Sequence, residues 1–133
     1  LPPMPRHSDN LDAPVALLCF NRPAQTARVF ERIAAAKPKT LLVVRDGPRP
    51  GNSGDAELCE AVSKIVTNPT WKCELLTEIS PVNLGCRGRV SSGLDWVFSQ
   101  VDSSIVLEDD CLPDPSFFGF CAELLAKYRD DER

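Results

Sequence analysis

Pro14 to Val44 reads PVALLCFNRPAQTARVFERIAAAKPKTLLVV, and the order of its parts decides the fold. Pro14–Phe20 and Thr40–Val44 are continuous apolar runs with no polar alternation. Such runs predict strands buried on both faces, as in parallel sheets. Asn21-Arg22-Pro23 ends the first run, and Pro23 suits the first turn of a helix, where its missing N–H has no partner to lose. From Ala24 to Lys37, Val29, Phe30, Ile33 and Ala34 recur at helical spacing. Lys37-Pro38 stops that helix. Strand, helix and strand in succession predict a right-handed βαβ unit with parallel strands.

The same alternation continues outward. Pro48–Gly54, PRPGNSG, is a loop by composition, and Asp55–Val66 follows as a helix with Leu58, Val62, Ile65 and Val66 on one face. Trp71–Ile79, WKCELLTEI, is a weaker strand that fits an edge. Asn83–Arg89, NLGCRGR, reads as a Gly-rich loop, and Val90, Leu94, Val97, Phe98 and Val101 form the stripe of the next helix. Ile105–Leu107 is a buried strand at the centre of the sheet, and a last helix runs from Pro115 to about Arg129, with Asp114 as its N-cap. Four strands alternating with four helices predict a three-layer α/β/α sandwich with a mostly parallel sheet. Residues 1–13, with three prolines and the single His7, read as a flexible leader, and 14–133 as one binding domain.

The chemistry gathers in Ser104–Phe118, SIVLEDDCLPDPSFF. A strand that ends in Glu108, Asp109 and Asp110 places three carboxylates at its carboxyl end, the edge where open α/β sheets bind ligands. Adjacent carboxylates repel, and a hard cation such as Mn²⁺ or Mg²⁺ relieves that repulsion while bringing phosphate oxygens with it. The loop after the first strand adds Asn21 and Arg22, the loop after the second adds Asp46, and Arg87 and Arg89 sit in the Gly-rich loop. Carboxylates for a metal, a lone Asp for a ribose or base edge, and arginines for diphosphate charge together point to a nucleoside diphosphate compound. Each has a plainer alternative: solvated loop arginines at 87 and 89, a turn residue at Asp46, and a helix cap at Asn21.

Composition sets outer bounds. The 133 residues suffice for one domain with a core, and 43% hydrophobic with 26% charged residues is ordinary for a globular chain. A net charge of −4 without a basic stripe argues against a nucleic-acid partner. Six cysteines at 19, 59, 73, 86, 111 and 121 show no C-x-x-C pair, which favours free thiols and a cytoplasmic protein. No apolar run is long enough to span a membrane. Neither a P-loop nor G-x-G-x-x-G is present.

With these residues in view, the chain resembles the nucleotide-sugar-binding half of GT-A glycosyltransferases. An opening apolar strand, an Asp after the second strand and a DXD-type acidic motif after a later strand are shared. Ile105–Phe120, IVLEDDCLPDPSFFGF, is similar to the motif region of the N-acetylglucosaminyltransferase I type, and NLGCRGR is similar to the loop before the acidic strand in family-two transferases. The resemblance implies Asp110 as direct metal ligand, with Glu108 and Asp109 hydrogen-bonding ribose and donor sugar. It implies Asp46 against a uracil base, Phe20, Asn21 and Arg22 lining that pocket, and Arg89 near the diphosphate. It implies a UDP-sugar donor, an acceptor that is a glycan, lipid or protein, and an acceptor half beyond Arg133, without which the chain is inactive alone. Two other readings fit the same pattern: a nucleotidyltransferase, although CFNRPAQT lacks that class's Gly-rich loop after strand one, and a non-catalytic module of the same fold.

Overall fold

A computed structural model describes residues 10–128. In chain order its elements are β1 (Val15–Cys19), α1 (Pro23–Ala36), β2 (Thr40–Arg45), α2 (Asp55–Val66), β3 (Glu74–Ile79), α3 (Gly85–Gln100), β4 (Ile105–Glu108) and α4 (Ser116–Tyr128). The strands form one sheet in the order β3-β2-β1-β4, with every pairing parallel. β1 and β2 are the inner strands, which is why VALLC and TLLVV carry no polar alternation.

Strand parity divides the core into two. On one face Val15, Leu17, Leu41, Val43, Ile105 and Leu107 pack with Val29, Phe30 and Ile33 of α1, Val62 and Val66 of α2, and Phe118 of α4. On the other face Ala16, Leu18, Leu42 and Val44 meet Val97 of α3. Helices therefore cover both sides of the sheet, as the alternation predicts. Each fully buried Leu or Ile in these layers contributes roughly 1.5–3 kcal/mol of transfer free energy.

Several expectations need correction. β4 is an edge strand rather than a central one, and only alternate residues of it are buried. Val106 shares the face of Ala16, and α3 packs over β1 and β2 on that face, so Val106 stays 36% exposed. The strand expected from Trp71 begins at Glu74, because the Trp71 indole N–H donates to the Pro38 carbonyl (2.8 Å) and its ring packs against Phe30. Leu11, expected in the leader, pairs with Pro38 and bonds the end of α1 through its main chain. His7 and the expected helix end at Arg129 lie outside the described residues.

α3 departs furthest. Cys86–Arg89 are helical rather than loop. Gly85, at φ +80°, turns the chain into the helix, and the Asn83 Oδ1 accepts the Gly85 N–H (3.1 Å). The buried stripe is Arg89, Gly93 and Val97, while Phe98 is half exposed. Gly93 permits this because a Cβ there would lie 2.7 Å from Val44 Cγ1, so the helix rests directly on β2.

Candidate functional site

Parallel strands send all their following loops to one edge. There an open cleft of about 420 Å³ forms between β1, β2, β4 and the start of α3. Its walls include Phe20 and Arg22 after β1, Asp46 and Arg49 after β2, Asn83, Cys86 and Arg89 around the start of α3, and Glu108 at the end of β4 with Asp109 and Asp110 after it. Seven of the nine residues singled out in the sequence are thus brought together, and Asn21 and Arg87 fall outside the lining.

The acidic triplet divides. Successive residues leaving a strand point to opposite sides. Glu108 and Asp110 lie together with Cys111, all exposed, with ligand atoms within 4.8 Å of one another. Asp109 is half-buried, and burial pushes its carboxyl above the ordinary range. The Arg22 charge pulls the other way, Asp110 and Glu108 raise it further, and the Phe20 main-chain amide lowers it. The donor chemistry fits a hard cation: two exposed carboxylates leave open positions for water and phosphate oxygens. Cys111 is a poorer partner, since its thiol donates to Asp110 (3.5 Å) and that bond and charge raise its pKa.

Asp46 is almost fully buried and organises the cleft floor. Its Oδ1 accepts the main-chain N–H groups of Gly47 and Leu84 (both 2.9 Å), and its Oδ2 accepts the Asn83 side-chain amide (3.1 Å). Asp46 therefore ties the end of β2 to the entry of α3, a role beyond that of a turn residue. Arg89 is buried, not solvated, and its charge is engaged. Nη1 pairs with Glu78 Oε1 (2.9 Å) and Nη2 donates to the Glu78 carbonyl (2.9 Å). Both Nη groups are thus committed to the Glu78 strand, while the buried Nε has no hydrogen-bond partner. Arg87 is exposed.

Asn21 is neither a wall of the cleft nor the cap of α1. Arg22 is the N-cap residue, without a side-chain capping bond, and the Asn21 amide donates to Asp55 Oδ1 (2.9 Å). Asp114 does cap as expected: its Oδ1 accepts the Ser116 N–H (2.9 Å) and hydroxyl, which lower its pKa. The loop it closes is anchored by Arg32, which donates to the Pro113 carbonyl (2.8 Å).

Three participants escaped sequence reading. Arg49 lines the cleft from within the Pro/Gly loop, its guanidinium carbon 5.7 Å from the Phe20 ring centroid. Asp55, at the start of α2, holds it through Arg49 Nε (2.7 Å), Nη2 (3.0 Å) and main-chain N–H (3.0 Å). Arg45 is the third. Its buried guanidinium donates to the carbonyls of Asp46, Cys59 and Ser80 and to the Ser63 hydroxyl, pinning the end of β2 beneath the cleft. A Pro/Gly loop hides the first pairing locally, and an apolar run ending in Arg gives no sign of burial for the third. No protein-family model and no curated protein matches the chain.

Proposed function

We propose that this chain binds the nucleotide-sugar donor of a metal-dependent glycosyltransferase, with a UDP-sugar as donor. What supports the reading is one juxtaposition: the acidic triplet, Asp46, Phe20 and Arg22 line a single cleft at the carboxyl edge of a parallel sheet. Glu108 and Asp110 would hold Mn²⁺ or Mg²⁺, which when bound offsets the charge of a departing diphosphate. Asp109, which accepts the Phe20 amide and feels the Arg22 charge, would bond a ribose or sugar hydroxyl. In the transfer, an acceptor hydroxyl oxygen bonds to the sugar's anomeric carbon as the bond from that carbon to the diphosphate breaks. UDP leaves with the bonding electrons, and the hydroxyl proton passes to a base that this reading leaves unassigned. Glycan, lipid and protein hydroxyls all suit that acceptor role. Six free thiols go with a cytoplasmic setting. No helix among the described residues is long and apolar enough to cross a membrane.

Calorimetric and thermal-shift titration with UDP tests the reading. With Mn²⁺ present, UDP at a hundredfold excess over its Kd should stabilise the protein by about 2.7 kcal/mol. Asp110→Asn should abolish most of that gain while leaving the fold intact. Equal UDP binding in excess EDTA would remove the metal from the reading, and no UDP binding under either condition would remove the reading itself.

A further inference from the structure

The cleft has two chemically different flanks, the loop after β4 and the loop after β2, with Phe20 at the end of β1 between them. At one, Glu108, Asp109 and Asp110 gather, and the charge of Arg22 acts on Asp109. At the other, Arg49 lies against the Phe20 ring in a wall whose formal charge is already balanced. Asp55, its side chain 2% exposed, takes Nε, Nη2 and the main-chain N–H of Arg49, and it also takes the Asn21 amide. A carboxylate gripped this way stays ionised well below the usual carboxylate range, with the hydrogen bond from Arg49 as the largest cause. The guanidinium is thus fixed in plane by a two-toothed bond and neutralised by its partner. Its carbon lies 5.7 Å from the Phe20 centroid. With its charge and its fork taken by Asp55, the guanidinium offers the cleft a flat face for stacking more than a free charge for an anion.

A nucleoside diphosphate has the same division, with a charged diphosphate and a neutral planar base. Resting on the function proposed above, we propose that Arg49, clamped by Asp55 beside Phe20, is the wall against which the nucleobase lies, so that Arg49 reads the base and not the diphosphate. Asp55 is then a positioning residue: it holds Arg49 and links the loop after β1, through Asn21, to the loop after β2.

The test compares three probes by ligand-observed NMR, which measures millimolar affinities: UDP with Mn²⁺, uridine, and inorganic diphosphate with Mn²⁺. Arg49→Lys keeps the charge but loses the fork and the flat face. It should weaken UDP and uridine by the same factor, about tenfold, the scale of a partly desolvated cation–π contact, and leave diphosphate unchanged. Phe20→Leu should follow the same pattern, and Asp55→Asn, which also frees the Arg49 charge, should weaken uridine while leaving diphosphate binding equal or tighter. Unchanged uridine binding in Arg49→Lys, or a loss confined to the phosphate-bearing probes, overturns the assignment while leaving the donor-binding reading in place. Wild-type protein that binds none of the three probes overturns both.

Discussion

Gly47 follows Asp46 at the end of β2, and a methyl group there should disturb the fold and the cleft together. A Cβ on Gly47 would lie 2.5–2.6 Å from the main-chain atoms of Val82. Main chain cannot swing aside as a side-chain tip does, so Val82 must withdraw by roughly 1 Å to reach an ordinary carbon–carbon contact. The segment that moves also carries the Leu84 N–H to Asp46 Oδ1 (2.9 Å), the Asn83 amide to Asp46 Oδ2 (3.1 Å) and the Asn83 amide to the Gly47 carbonyl (3.0 Å). Stretched by that much, these contacts pass out of hydrogen-bond range. Bonds to a charged acceptor are worth about 1.5–3 kcal/mol each, and the Gly→Ala change returns roughly 0.4–1 kcal/mol through the unfolded chain. Partial relaxation leaves a net loss of about 2–4 kcal/mol for Gly47→Ala. At roughly 3–5 °C per kcal/mol for a chain of this size, Tm should fall by about 10–15 °C. Thermal and urea unfolding followed by circular dichroism measure it. Gly119→Ala is the control, since Gly119 lies in α4 with nothing within 4 Å of its Cβ, and it should gain up to about 1 kcal/mol. A Gly47→Ala protein melting within 2 °C of wild type would refute the packing argument.

Other consequences follow from the same contacts. Arg45→Met strips the donor from three carbonyls and the Ser63 hydroxyl beneath the cleft. It should cost about 3 kcal/mol or more in urea unfolding, whereas a cost under 1 kcal/mol would mean that the guanidinium contributes little. Because its folded pKa is raised, Asp109 keeps a proton at pH values where the unfolded chain has lost it. Its contribution to stability is therefore greatest below the ordinary carboxylate pKa and falls as pH rises through the raised value. Metal-free Asp109→Asn should be more stable than wild type at pH 7 and lack that decline; equal pH profiles would contradict the burial argument. Alkylation of native protein at neutral pH should reach exposed Cys86 before Cys111, whose thiol bonds Asp110, and reach buried Cys19, pushed up to about 12, and Cys59 last. Six thiols should react after unfolding without reductant, and fewer than five would contradict free cysteines.

The amino-acid sequence by itself determined the layer architecture. Burial on both faces leaves β1 and β2 as unbroken apolar runs, and helices leave a 3.6-residue stripe, so both patterns are written locally. The position of the acidic triplet at a strand's carboxyl end was legible for the same reason, and so was the Asp114 cap, because strand ends and caps are short-range features. Only the tertiary structure decided strand order, and with it that Ile105–Glu108 sits at an edge with Val106 exposed, since lateral neighbours leave no trace in a four-residue run. Pairings across loops were also beyond the sequence. Arg89 is taken by Glu78, eleven residues earlier and one strand away. Asp46 reaches Leu84, 38 residues on. Arg49 and Asp55 are close in sequence, yet the loop PRPGNSG between them has no periodicity from which their meeting could be read. A carboxylate or guanidinium finds its partner through the geometry of the completed sheet edge, where loops distant in sequence converge. That convergence decides which partner each cleft arginine meets, Glu78 for Arg89 and Asp55 for Arg49.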